Sequence, residues 1–129
     1  MENRSTTKNV TIGDKTFQIN KADARTGCWL FTFLGARQQE GGAILSGLGK
    51  CTRSEFDEIQ TVALSKITIL DNQNGNIFPI PLISPNGSFS DKSLETDSDT
   101  IMRLTTESIL LDLVPFLVER GSNSQIQEK

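Results

Sequence analysis

The fold is decided by the last long apolar stretch, Ile101-Met-Arg-Leu-Thr-Thr-Glu-Ser-Ile109-Leu-Leu-Asp-Leu-Val-Pro-Phe116-Leu-Val118. On a helix turning about 100° per residue, Ile109, Leu110, Leu111, Leu113, Val114, Phe116, Leu117 and Val118 cover an arc of roughly 220°. Asp112, Pro115 and Glu119 occupy the remaining gap, which reads as the polar side of the wheel. A surface helix of a monomer needs an apolar stripe only a little over about 100° wide. The helix therefore either serves its own core and a second surface, or is buried in the middle of the fold.

It is not a membrane span. Its densest part is about ten residues long, contains Asp112 and is interrupted by Pro115, whereas crossing a bilayer takes about 20 apolar residues. Pro115 also removes the backbone bond to the Leu111 carbonyl, so a kink is expected there.

At 129 residues the chain suits one domain with a core large enough to need no disulfides. Net charge is −3 with lysines and arginines scattered, so no basic stripe exists for a run of phosphates and nucleic acid is not an expected partner. Histidine is absent, which removes the usual proton shuttle near neutral pH and the commonest transition-metal ligand. Cys28 and Cys51 lack metal-site spacing and read as small core or near-core residues of a reducing compartment. No metal or other cofactor is expected. The start, Met1-Glu-Asn-Arg-Ser-Thr-Thr-Lys8, has no apolar run behind it to act as a secretory signal, which points to the cytoplasm.

Upstream, Val10 and Ile12, then Phe17 and Ile19, alternate with polar neighbours around Gly13-Asp14, the pattern of a β-hairpin with one apolar face. Such a hairpin is marginal alone and must lie on a helix or add to a sheet edge in another subunit. Asn20 reads as the cap of a first helix, with Asp23 at its third position. Cys28, Trp29, Leu30, Phe31, Phe33 and Leu34 surround nearly the whole of that helix, Arg25 and Thr32 marking one polar seam, which predicts a helix central to the core. The glycine-rich segment Gly35 to Gly49 follows, with one short helical turn expected at Ala43-Ile-Leu45. Its end, Ser46-Gly-Leu-Gly-Lys-Cys-Thr52, fails as a phosphate loop because Ile44 stands where the first glycine belongs and Cys51 where Ser or Thr should be.

Thr52-Arg-Ser-Glu55 is a capping box opening an amphipathic helix with its stripe on Phe56, Ile59, Ala63, Ile67 and Leu70. Asp71-Asn-Gln-Asn-Gly-Asn76 reads as a turn after it; the glycine is misplaced for a calcium loop and Leu82 stands at the twelfth position. In Ile77-Phe-Pro-Ile-Pro-Leu-Ile83 two alternate prolines forbid a central strand and allow an extended edge or polyproline segment. Residues 88–100 read as a polar loop with Ser98 or Asp99 capping the final helix, and Gly121 as its end. The expected organisation is a disordered N-terminus at 1–8, a single domain at 9–121 and a disordered tail at 122–129. The expected fold is α+β and mostly helical, a hairpin followed by a small bundle of three main helices with an extended Pro-x-Pro segment.

No nucleophile–base pair, metal cluster or phosphate cradle assembles from these residues, so no enzyme is expected. The carboxylates Glu55, Asp57 and Asp112 would be the residues to watch if one existed. The surplus apolar surface points instead to self-association or to an apolar helix in a client protein.

The arrangement resembles the tail assembly chaperones of tailed bacteriophages. The similar parts are the hairpin Val10 to Ile19, the aromatic first helix, Thr52-Arg-Ser-Glu-Phe-Asp-Glu-Ile-Gln60, Pro79-Ile-Pro-Leu82 and Leu104 to Phe116. The resemblance implies a protein without catalysis that coats the tape measure protein, often as a homo-oligomer, in the host cytoplasm, and leaves before the virion matures. The tail tube protein is a further candidate partner, and nucleic acid and membrane are not. Trp29, Phe31, Phe33, Leu113, Phe116 and Leu117 are the candidate oligomer or client contacts, some of them shared with core packing. The alternative is a phage structural component, such as a tail or head completion protein.

Overall fold

A computed structural model describes residues 6–117 with their side chains and, beyond them, the course of the last helix. Among the described residues the order is β1 (Thr7–Ile12), β2 (Lys15–Asn20), α1 (Ala24–Arg37), a 3₁₀ segment (Ile44–Lys50), α2 (Arg53–Ser65), β3 (Ile67–Gln73), β4 (Asn76–Pro81), a second 3₁₀ segment (Lys92–Thr96) and α3 (Ser98–Glu128). The fold is mixed α+β. Residues 1–5 and Lys129 lie outside the described residues; Thr7 and Lys8, expected in a disordered N-terminus, belong to β1, and α3 runs on past the expected end at Gly121 to Glu128.

The hairpin at Gly13-Asp14 forms as its alternation predicts, with Val10 facing Phe17 and Gly13 at a positive φ of 63°. It is not alone. A second hairpin, β3–β4, joins it to make one antiparallel sheet in the order β1-β2-β3-β4. This corrects the expected helix from Thr52 to Leu70. α2 stops at Ser65, Lys66 caps it, and Ile67 and Leu70 lie in a strand. The β-branched run Ile67-Thr-Ile69 favours the pleated surface, and pairing Ile19 with Ile67 and Phe17 with Ile69 supplies the burial that a fourth helical turn would have. The turn at 71–76 is the tip of this hairpin, where Asn74 and Gly75 both take positive φ, 54° and 84°, as a two-residue type I′ turn requires. The Pro-x-Pro segment is β4, an edge strand.

Two other boundaries differ. Asn20 ends β2, and the cap of α1 is Asp23, whose carboxylate accepts from the Thr26 backbone N–H at 3.2 Å and the Thr26 hydroxyl at 2.7 Å. Asp97, rather than Ser98 or Asp99, accepts from the Thr100 N–H at 3.2 Å at the start of α3. The Thr52–Glu55 capping box forms in both directions, at 3.1 Å and 3.0 Å. Thr52→Ala should therefore lower stability by about 1 kcal/mol, read as a shifted urea midpoint with an unchanged slope.

The buried side chains fall into two clusters. One lies under the sheet, on Val10, Phe17, Ile19, Leu64, Ile67, Leu82, Leu94 and Leu104. Leu94 of the second 3₁₀ segment is buried and Phe89 packs against the same cluster, so the stretch 88–100 is less a polar loop than a plug with two apolar side chains. The other cluster lies between the helices, on Leu30, Leu34, Ile44, Ile59, Ala63, Ile109 and Leu113. Both α2 and α3 contribute to each cluster and so connect the sheet to the helical end.

The stripe that α3 buries differs from the one its apolar residues predict. Leu104, Thr105, Ser108, Ile109, Asp112 and Leu113 face inward, at helical spacing, and half of them are polar. Asp112, placed by the wheel on a wet seam, is 3% exposed. The polar groups are paired: Thr105 hydroxyl donates to the Ile101 carbonyl at 2.7 Å and Ser108 hydroxyl to the Ala63 carbonyl of α2 at 2.8 Å. Asp112 Oδ1 accepts from the Ala22 N–H at 2.8 Å, and Oδ2 lies 3.1 Å from Lys66 Nζ as an ion pair, approached too obliquely for a good hydrogen bond. Because polar groups take inward places, aliphatic ones are displaced outward: Met102 and Val114 are each 41% exposed and Leu117 37%.

Candidate functional surface

α1 is not buried all round. Gly27, Leu30 and Leu34, spaced i, i+3 and i+7, form the inward stripe, while Trp29, Phe31 and Phe33 are half-buried on its flanks. Cys28 is exposed and Cys51 half-buried, so only the second resembles the near-core residue expected. Burial raises the Cys51 thiol above the ordinary cysteine value, with the neighbouring Glu55 carboxylate pushing in the same direction.

The flanks differ. On one, Phe31 stacks on Phe116 of α3 with ring centroids 4.4 Å apart and planes 10° from parallel. On the other, Trp29 and Phe33 meet at 5.8 Å, and the Arg37 guanidinium lies 3.7 Å over the Phe33 ring. Arg37 continues to Glu55 at 3.1 Å, tying the end of α1 to the start of α2. The Thr52 N–H, and then Arg37, hold the Glu55 carboxylate below the ordinary range.

Between the Phe31 flank, the first 3₁₀ segment and α3 runs an open groove of about 710 Å³. Its walls are Phe31, Thr32 and Gly35 of α1 with Gln38 just past its end, the stretch Ala43-Ile44-Leu45, and Leu110 and Leu117 of α3. The segment can form this wall because Gly47 packs directly on the backbone of α1: a Cβ there would sit 2.5 Å from the Leu34 carbonyl oxygen. A smaller hollow of about 330 Å³ lies across Phe116, bounded by Lys21 to Ala24, Gly27, Cys28, Asp112 and Pro115.

Of the six contact candidates, Phe31 and Leu117 line the groove and Phe116 supports it through the stack. Trp29 and Phe33 lie on the other flank of α1. Leu113 is fully buried with Leu30, Leu34 and Ile109 and is a core residue, which corrects its place among the contacts. Leu110, Leu45 and Val114 are apolar surface that the sequence reading did not single out. The available signal was the glycine pair Gly41-Gly42 with Gly47, which lets a short apolar segment lie close against α1. Val118 and Glu119 lie outside the described side chains.

The carboxylates do not converge. Glu55 is held by Arg37, Asp57 is exposed 3.9 Å from Arg53, and Asp112 is held by Lys66. Among the described residues no group of three or more His, Cys, Asp or Glu is placed to hold a metal ion, and no helix is long and apolar enough to cross a membrane. What this surface offers chemically is apolar contact with a few polar rim groups. No protein-family model, curated protein or solved structure matches the chain.

Proposed function

We infer that the chain is a tail assembly chaperone, which binds the phage tape measure protein and keeps it soluble while the tail is built, without catalysis. The observation that carries this reading is the open apolar groove, with Phe31 and Leu117 on its walls and Val114 exposed on the same helix. A long helical client has apolar stripes that aggregate until the tail tube encloses them, and a groove of this kind matches one turn-spaced row of such side chains. In this reading α1, α2 and α3 form the small helical bundle that holds the client, and several copies act along it in the host cytoplasm. Release needs only a competing partner, such as the assembling tail tube, because no covalent step is involved.

Co-expression with the tape measure protein encoded by the same phage tests this. The expected result is a client that stays soluble and co-purifies with the chain, and purified virions that lack the chain by mass spectrometry. A client that remains insoluble overturns the reading. A chain found at fixed stoichiometry in the virion replaces it with the alternative, a structural component of tail or head.

A further inference from the structure

The two edges of the sheet are built differently. At β4, Leu82 N–H donates to the Ile67 carbonyl at 2.9 Å, and Ile69 pairs with Ile80, so even-numbered N–H groups point inward to β3. Ile77, Pro79 and Pro81 therefore occupy the outward positions, and two of those three have no N–H to offer. This edge is closed to another strand.

At β1 the Lys21 N–H donates to the Thr6 carbonyl at 2.8 Å, and the register pairs Lys8 with Ile19, Val10 with Phe17 and Ile12 with Lys15. The ladder then turns the N–H and C=O of Asn9 and Thr11 away from β2, toward an edge that no described strand covers. Neither is proline. The charge at this edge, Lys8, is already neutralised by Glu107 of α3.

A row of cross-strand partners, Ile80–Ile69–Phe17–Val10, crosses the whole sheet and ends at this open edge. We propose that β1 pairs antiparallel with β1 of a second copy of this chain, about a twofold axis at Val10, to make a continuous eight-stranded sheet. In that register Asn9 and Thr11 of each copy exchange N–H and C=O with Thr11 and Asn9 of the other, and the apolar rows join through adjacent valines. Lys8 then faces Ile12 of the partner subunit. A twofold axis at Lys8 would set two ammonium groups side by side, and one at Asn9 would break the row. The flank is suitable too: Val114 lies seven residues beyond Glu107, on the face of α3 that reaches β1, and is exposed. The proline-blocked β4 edges form the ends of the joined sheet, so assembly through strands stops at two.

The inference rests on the strand ladder and is independent of any client, so its test uses the chain alone. Sedimentation equilibrium should give twice the 14.2 kDa chain mass. Thr11→Pro deletes one outward N–H per copy and no backbone bond to β2, only the exposed hydroxyl contact with Thr16 at 3.1 Å, so the dimer should weaken by about 30-fold, the equivalent of two backbone bonds. Ile77→Pro, at an outward position of the closed edge, should leave dimerisation unchanged. Hydrogen exchange decides even where Thr11→Pro fails to fold: Asn9 and Thr11 amides of the unaltered chain should become slower as concentration rises. A monomer at all concentrations overturns the proposal, as does a dimer in which those two amides exchange at the rate of open coil.

Discussion

Lys66→Met should destabilise the protein by about 3–5 kcal/mol, the penalty of leaving a buried carboxylate without its counter-ion. Lys66 stands where α2 gives way to β3, and its ammonium donates to the Asn20 carbonyl at 2.9 Å and the Ser108 carbonyl at 3.3 Å, besides lying 3.1 Å from Asp112 Oδ2. One side chain thus satisfies the end of β2, the middle of α3 and a carboxylate that is 3% exposed. Met keeps the stem and removes the ammonium with its two hydrogen bonds and its pairing to Asp112, so the loss measured in urea is that of these polar contacts rather than a cavity. Adding Asp112→Asn should recover more than half of it, since an amide oxygen can still accept from the Ala22 N–H. A loss below about 1 kcal/mol would mean that water compensates Asp112 and that the pair is no latch.

The same pair gives a pH signature. Burial holds the Lys66 ammonium below the ordinary lysine range, and Asp112 only partly opposes it. Between the folded and the unfolded lysine values the unfolded chain binds more protons, so stability should rise with pH across that alkaline window. Lys66→Met removes this slope.

The second large effect separates two leucines four residues apart. Leu113→Ala should cost about 2–5 kcal/mol, because Leu113 is sealed among Leu30, Leu34 and Ile109 and its removal leaves a cavity. Leu117→Ala should change stability by no more than about 0.5 kcal/mol, as for other surface substitutions, while reducing capture of the tape measure protein. Thermal melts read the first difference and co-purification the second. Equal destabilisation by both would put Leu117 in the core and remove a wall of the groove.

The sequence disclosed those elements whose signal is local. Thr52 and Glu55 are three apart and can only cap; Gly13-Asp14 between alternating residues can only turn; the prolines at 79 and 81 can only sit at an edge. It misled where the partner lay far along the chain. Ile67 and Leu70 continue the spacing of α2; the β-branched run Ile67-Thr-Ile69 is a local hint of a strand, but its partners Ile19 and Phe17 lie far along the chain. Asp112 looked wet because its counter-ion, Lys66, is 46 residues away, and that single reversal rotated the reading of α3 and placed Leu113 outside. The groove was visible only in part, since its third wall depends on Gly47 meeting the Leu34 carbonyl, a close approach that no periodicity encodes.

The seam between β2 and β3 also governs how the molecule comes together in time. Each hairpin can zip from its own turn within about 1–10 μs. Their union must wait, because Phe17 and Ile69 meet only after the intervening chain, with α1 and α2, has been drawn into a closed loop. The ribosome delivers the first hairpin well before the second, so a nascent chain passes through a stage in which the inner margin of β2 has no neighbour. A newborn copy is then most vulnerable to pairing with the wrong strand, and early collapse of the helices that lie between is what shortens that exposure.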